Sequence, residues 1–348
     1  MSKQAAVIYG IGTFYKKMEI VIGDIYEVAA LSDQNADLSK NIMPLTDALM
    51  RPYDVVVLMI MNLETCYDVI GMLIEEYKVP YYKIKLGLNL VENKGWDCMD
   101  INSDGNIVFQ KGKVSLVVGS TDELNNILEI FCGNCYGYFI DDRSREVILD
   151  IGMNIGGGCL YFLERQTVVK VYGFEPFRDT FMRARENFER NGLLEDDRLE
   201  YFPYGISDCD EIRTVIYNKN MSCGQSTNSE INSRARKQYQ EWGLISDNDD
   251  KVAEVEVRDI GAILAKIYEK HKEEKVILKI DCEGEEQRIM SRLERADLLK
   301  RVTIIMLEWH CGQEDSLIGI LKRNDYTFWN FRHENNTGGL IYAVRRTI

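Results

Sequence analysis

Twice along this chain, short apolar runs of strand character alternate with stretches whose apolar residues recur at helical spacing, and this alternation narrows the fold more than any other feature. In the first run AAVIYG (5–10), YEVAALSD (26–33) and YDVVVLMI (53–60) read as strands, with helical patterns in GIGTFYKKMEIVI and TCYDVIGMLIEEY. The second run opens at EVILDIG and continues through VVKVYGFEP, RLEYFPYGISD, KVILKIDCEG, VTIIMLEWH, YTFWNF and GLIYAV, with helices such as FRDTFMRARENFERNG in the gaps. Strands separated by helices pair in parallel, because the crossover returns each strand to the same end of the sheet. The predicted class is therefore α/β: a small Rossmann-like unit, then a doubly wound sheet. The last two strands are joined only by the loop RHENNTGG, so the final strand is expected to run antiparallel.

Between the two runs, CMDINSDGNIVFQ predicts a hairpin turning at Asp104-Gly105, and LVVGSTDELNNILEIF a helix capped by Ser120 or Thr121. The expected divisions are residues 1–90, a hairpin-and-helix segment at 91–145, and a main domain at 146–348. A polar stretch at 218–250, rich in Ser, Asn and Asp, is too long for an ordinary connection and is expected to be either a linker or a lid over the site.

Composition bounds the partners. A net charge of −14 disfavours nucleic acid, whose binding needs Lys and Arg at phosphates. The longest apolar run, VVVLMIM, is too short to span a bilayer, and the first residues lack the pattern of a secretory signal, so a cytoplasmic protein is expected. An odd count of nine cysteines fits reduced thiols, and Cys132 with Cys135 form a CxxC without a second pair. A homo-oligomer is compatible with all of this.

In open parallel sheets ligands bind beyond the carboxyl ends of the strands. Those ends are acidic here: Asp150, Glu175, Asp208, Asp281 with Glu283, and Glu308. Such a rim suits a cationic ligand, and S-adenosylmethionine brings a sulfonium and an ammonium without any phosphate. In VILDIGMNIGGG, Gly152 and Gly156 let the chain turn tightly against a cofactor. Asp150 is placed to receive the methionine ammonium, directly or through water, and Glu175, ending the next strand, to bind both ribose hydroxyls. Reading 276–283 as a strand puts Lys279, Asp281 and Glu283 on one face, and Glu308 and His310 share a face of the strand VTIIMLEWH. An alcohol acceptor must lose its proton as the methyl bond forms, and Asp281 or His310 is the candidate base. A salt bridge from Asp281 to Lys279 and a purely structural strand-end His310 are the plainer readings of the same residues. Asp281, Glu283 and Glu308 are also a carboxylate set suited to a divalent cation such as Mg or Mn, a reading not favoured over a metal-free site.

Taken in order, VILDIGMNIGGG, VYGFEPF, PYGISDCD, VEVRDIGAIL, VILKIDCEGEEQRIMSRL and VTIIMLEWH resemble the FkbM family of S-adenosylmethionine-dependent methyltransferases over roughly residues 136–345. The resemblance implies a class I methyltransferase fold and methylation of a hydroxyl on a sugar, glycan or polyketide-like product. It implies a cofactor loop of Asp150, Gly152, Asn154 and Gly156, Glu175 on the ribose, and Asp208 near the adenine. It puts Asp281, Glu283 and His310 near the acceptor as the catalytic set. Met153 departs from the pattern, since the family more often has alanine there.

The first 90 residues lie outside that match. VIYGIGTFYKKM resembles small nucleotide-binding-like domains of sugar-modifying proteins, with Gly10 and Gly12 in place, Tyr15 where a third glycine would stand, and Asp33 ending the second strand. An NAD(P)-dependent oxidoreductase or a sugar-nucleotide-binding protein using this turn is the competing expectation.

Overall fold

The computed structural model describes residues 2–138, 143–242, 245, 250–310, 312–333 and 338–346. The middle of the loop between the last two strands (334–337), residues 243–244 and 246–249 of the polar stretch, and residues 139–142 fall outside these. The chain divides into two compact units, Met1–Cys132 and Gly133–Ile348.

In the first unit, β1 (Gln4–Tyr9), α1 (Thr13–Ile25), β2 (Tyr26–Ser32), β3 (Ile42–Met43), α2 (Leu45–Leu49), β4 (Val55–Leu58), α3 (Leu63–Gly71) and β5 (Ile84–Leu86) form a parallel sheet of order β3-β2-β1-β4-β5. The sheet order reverses between β1 and β4, as in Rossmann-like folds. Gly10 follows β1 at φ +92°, where an added Cβ would lie 3.1 Å from the Met59 carbonyl oxygen. The Ile11 amide of that turn donates to Asp33 Oδ2 at 2.8 Å. Tyr15 is buried in the core between α1 and the sheet. The expected hairpin is present and gains a third strand: β6 (Cys98–Ile101), β7 (Ile107–Lys111) and β8 (Val114–Val117) make an antiparallel meander. Ser120 caps α4 (Thr121–Phe131), its hydroxyl accepting from the Glu123 amide at 3.1 Å.

The second unit is built on a seven-stranded sheet of order β11-β10-β9-β15-β16-β18-β17. Its strands are β9 (Glu146–Ile151), β10 (Val168–Phe174), β11 (Leu199–Phe202), β15 (Lys275–Ile280), β16 (Val302–His310), β17 (Tyr326–Arg332) and β18 (Gly338–Arg345). Every residue of β9 is buried, as a central parallel strand covered on both faces requires. The final strand is antiparallel, as its hairpin loop predicts, and inserts between β16 and β17. Helices α5 (Gly157–Leu163) and α6 (Arg178–Arg190) follow β9 and β10, while α8 (Ile260–Lys270), α9 (Glu286–Arg295) and α10 (Glu314–Arg323) supply the main core cluster. Ile289, Met290 and Leu293 of α9 are fully buried there, each contributing about 1.5–3 kcal/mol by leaving water.

Two expected strands end earlier than their patterns suggest. RLEYFPYGISD is broken: β11 stays in the large sheet, while β12 (Gly205–Ser207) joins a separate sheet of order β12-β14-β13 with β13 (Glu211–Asn218) and β14 (Asp250–Asp259). Pro203 stands at the break, where it has no N–H for a ladder. KVILKIDCEG is strand only to Ile280, and residues 281–284 are a turn with Glu283 at φ 55° and Gly284 at φ 111°. The shared strand face expected for Lys279, Asp281 and Glu283 is thus a strand end and a turn. The described part of 218–250 is ordered, with residues 222 and 225–227 buried and α7 (Ser229–Glu241) capped by Asn228.

Candidate active site

Strands β9 and β15 are neighbours in register, so the turns that leave them lie side by side. Gly152 has φ +79°, and a Cβ there would sit 1.8 Å from the Asp281 carbonyl oxygen, so the two main chains are in contact and only glycine fits. Asn154 follows, also left-handed at φ 49°, and Gly156 caps α5 at φ 89°. The loop is held from α6, where the buried Asn187 Nδ2 donates to the Ile155 carbonyl at 3.0 Å. Met153 points away from the open side: it is 2% exposed and packs over β10 at Gly173, where a Cβ would lie 2.6 Å from its sulfur. Its extra bulk is accommodated by the glycine beneath.

Glu175 ends β10 beside this loop and is 5% exposed. Oε2 accepts from the Asn154 amide at 3.2 Å and Oε1 from the Phe177 amide at 2.9 Å. Burial pushes its carboxyl up to about 7, against the lowering effect of those two amides. The Asn154 side chain donates to the Ser222 carbonyl at 3.2 Å and reaches Cys223 Sγ at 3.5 Å. Ile231 of α7 packs so closely on the second turn that a Cβ on Gly284 would lie 2.1 Å from its Cδ1. The polar segment therefore covers both turns in the form of a folded layer.

Beneath the loop lies an ion cluster. Asp150 is fully buried, and Lys279, 3% exposed, places Nζ 3.0 Å from Asp150 Oδ1, 3.7 Å from Asp281 Oδ2 and 2.5 Å from the Gly152 carbonyl oxygen. Burial alone would lower the lysine pKa, but Asp150 and Asp281 outweigh it and hold the ammonium charged. Tyr136 donates from its hydroxyl to Asp281 Oδ2 at 3.3 Å, and Lys279 Nζ stands 5.6 Å from its ring centroid.

On the far side of Asp281, His310 ends β16. Its Nδ1 is 3.1 Å from Oε1 of Glu286, a fully buried carboxylate at the start of α9 that also accepts from the Gly284 amide at 2.9 Å. Its Nε2 faces Glu283 Oε2 at 3.5 Å and Glu308 Oε1 at 3.7 Å. Burial would favour neutral imidazole, but Glu283, Glu286 and Glu308 hold its pKa well above the ordinary histidine range. Burial, reinforced by Asp281 and Glu286 against the opposing pull of His310, raises the Glu283 carboxyl above the usual carboxylate range.

The family model of the methyltransferase FkbM domain matches residues 150–338, more than half of the chain. The chain belongs to the FkbM methyltransferase family. This FkbM protein is an S-adenosylmethionine-dependent methyltransferase with the class I fold, preceded by a unit with its own parallel sheet. It is 29% identical over 208 residues to the AMB antimetabolite synthetase AmbE of Pseudomonas aeruginosa, an alignment covering 52% of this chain and 9% of that protein. The chain thus spans a small part of the length of that curated relative. A crystal structure of methyltransferase FkbM from Methylobacillus flagellatus aligns with 13% identity and a TM-score of 0.37, covering 98% of this chain and 90% of that one. An rRNA methylase from Streptococcus thermophilus aligns with 10% identity and a TM-score of 0.34, over 63% and 96% of the two chains.

Within the FkbM domain most of the sequence-predicted residues converge. Asp150, Gly152, Asn154, Gly156 and Glu175 form one loop region, and Asp281, Glu283, Glu308 and His310 one cluster beside it. Asp208 does not join them: it follows β12 in the small sheet, its carboxylate 3.9 Å from Arg288 and 3.7 Å from Arg295 of α9. Asp150 is present but fully buried beneath the loop, where it meets Lys279 and the Cys159 thiol at 3.3 Å. Sequence reasoning did not single out Tyr136 or Glu286, and weighed Lys279 only as a partner for Asp281. The doubled acid of EGEE at a helix start was a usable signal for Glu286. Among the described residues no helix is long and apolar enough to cross a membrane.

Proposed function

We propose that this methyltransferase methylates a hydroxyl of a sugar, glycan or related metabolite by in-line transfer. The observation that carries the reading is the main-chain contact between the turns after β9 and β15, because it sets a donor loop and an acid-lined cluster edge to edge. The cofactor supplies an electrophilic methyl on a sulfonium that loses its charge on transfer, so the protein's work is positioning and water exclusion. The donor set fits the cofactor. Glu175 is a buried carboxylate whose charge is poorly compensated, and the paired hydroxyls of a ribose are the donors it lacks. Gly152 and Gly156 let the loop close against the Asp281 backbone and the Phe188 ring beside Glu175, and the neighbouring carboxylates favour the cofactor's positive groups. Asp150, engaged by Lys279, acts by holding the loop against β15 and meets the ammonium through water.

At the acceptor, Asp281 takes the hydroxyl proton. Tyr136 and Lys279 fix one of its oxygens and leave the other to the substrate. His310, held charged by its carboxylate neighbours, orients Glu283. Several acceptors converging within a few ångströms suit a polyol better than an isolated alcohol. Residues 222–231 cover the crevice and exclude water.

The test has two stages. S-adenosylhomocysteine, and not NAD, should raise the melting temperature by mass action. Labelled S-adenosylmethionine incubated with carbohydrate fractions should then yield a methyl ether. A shift with NAD alone, or label found on nitrogen or carbon, overturns the proposal.

A further inference from the structure

We propose that Asp281, Glu283 and His310 hold a divalent cation of the Mn2+ type, which presents open coordination positions to the acceptor's hydroxyl oxygens. The role given to the ion rests on the hydroxyl-acceptor reading above; the site itself rests on geometry. Among the described residues, one ligand atom from each of these three side chains lies within 4.8 Å of the others. Atoms bound about 2.1 Å from one cation stand roughly 3.0–3.4 Å apart in cis octahedral or tetrahedral positions. His310 Nε2 lies 3.5 Å from Glu283 Oε2 and 3.7 Å from Glu308 Oε1. These separations are long for hydrogen bonds and close to those of ligands around a shared ion.

Each ligand is anchored from behind. His310 Nδ1 meets the buried Glu286 at 3.1 Å, which assigns the proton to Nδ1 and leaves Nε2 as the lone-pair face once a cation is bound. A buried carboxylate behind the far nitrogen is the usual outer partner of a metal-bound histidine. Asp281 Oδ2 is held by Tyr136 and Lys279, and Glu283, at a left-handed backbone position, has Oε2 facing His310 Nε2. A separate observation points to missing positive charge: Oε2 of Glu286, on a fully buried side chain, has no hydrogen-bond partner among the described residues. Four carboxylates, those of residues 281, 283, 286 and 308, gather around the His310 imidazole, with Lys279 shared with Asp150 and the half-exposed His333 reaching only Glu308 of the four, at 3.7 Å. A divalent ion offsets that excess where water cannot. Two carboxylates and one imidazole suit Mn2+ better than a thiolate-seeking ion or Ca2+, which prefers more oxygens.

With three protein ligands the ion keeps room for two oxygens of a vicinal diol. As the new O–CH3 bond forms, the S–CH3 bond breaks with its electron pair staying on sulfur. With the ion bound Asp281 is engaged as a ligand, and the acceptor hydroxyl, made more acidic by the ion, gives its proton to Glu308 in place of Asp281.

Chelator-treated full-length protein titrated with MnCl2, followed by the loss of the free Mn2+ electron paramagnetic resonance signal, should bind one ion per chain. Glu283→Gln and Asp281→Asn should each weaken binding by more than tenfold, and Glu286→Gln by roughly 10–100-fold, as for lost outer-shell partners. Asp208→Asn, an acid outside the cluster, should leave binding unchanged. The S-adenosylhomocysteine melting shift, measured on the same samples, reports that each variant is folded. A protein stabilised by S-adenosylhomocysteine that binds no Mn2+ at millimolar concentration overturns the cation site and leaves methyl transfer standing. Wild-type Mn2+ affinity in both Glu283→Gln and Asp281→Asn overturns it equally.

Discussion

Replacing Glu175 with glutamine isolates one buried charge. The carboxyl titrates at about 7 in the folded protein against an ordinary 4.5, because burial disfavours the anion more than the Asn154 and Phe177 amides favour it. The native state therefore binds this proton more tightly than the unfolded chain. Its contribution to stability is full below pH 4.5 and is lost as the pH rises through 7. That gap corresponds to about 3 kcal/mol. Glutamine has nearly the same shape and no charge, so urea unfolding at pH 5 and pH 8 without ligand should show the wild type losing about 2.5 kcal/mol more than the variant, slightly less than the full gap because some of it is already lost by pH 5. Ligand binding should move the other way. In the proposed ribose contact the ionised carboxylate is the form that accepts both hydroxyls, so wild-type affinity for S-adenosylhomocysteine should climb up to about pH 7 and then level. Each charge-assisted bond is worth about 1.5–3 kcal/mol, so the variant should bind at least about a hundredfold more weakly at pH 8 by calorimetry. Parallel pH slopes for the two proteins, or affinity kept within a few-fold, would refute both the charge argument and the ribose contact.

Three further substitutions probe the rest of the site. Asp281→Asn should keep the S-adenosylhomocysteine melting shift and lose methyl transfer to carbohydrate fractions, and retained transfer would remove Asp281 from the acceptor chemistry. Lys279→Met leaves Asp150 buried without its counter-charge, for which urea unfolding should show a loss of about 3–5 kcal/mol. Gly152→Ala must fit a Cβ 1.8 Å from the Asp281 carbonyl at φ +79°. It should lose both S-adenosylhomocysteine binding and at least about 1–3 kcal/mol of stability in the same measurement.

What could be read in advance was local. The turn after β9 announces itself because glycines at left-handed positions and an acid at the next strand end are properties of adjacent residues. What escaped depends on contacts across the chain: Tyr136 reaches Asp281 over 145 positions, and Lys279 reaches Gly152 over 127. Asp208 stands apart from the other expected residues because an apolar and aromatic run, LEYFPYGIS, reads as one strand although its halves pair in different sheets. For Glu283 the alternation of two was carried past the strand end, where Gly284 in fact marks a turn whose left-handed backbone re-aims the carboxylate. The meander's third strand, β8, escaped because its apolar residues merge with the approach to the following helix.

Contact of the Gly152 backbone with the Asp281 carbonyl leaves no slack between the two halves of the proposed active centre. A shift of either turn pushes directly on the other, main chain against main chain, with no side chain between them to absorb the motion. Grafting one of these turns into a related scaffold without its mate would therefore break the fit, and engineers seeking a new acceptor should transplant them as a matched pair.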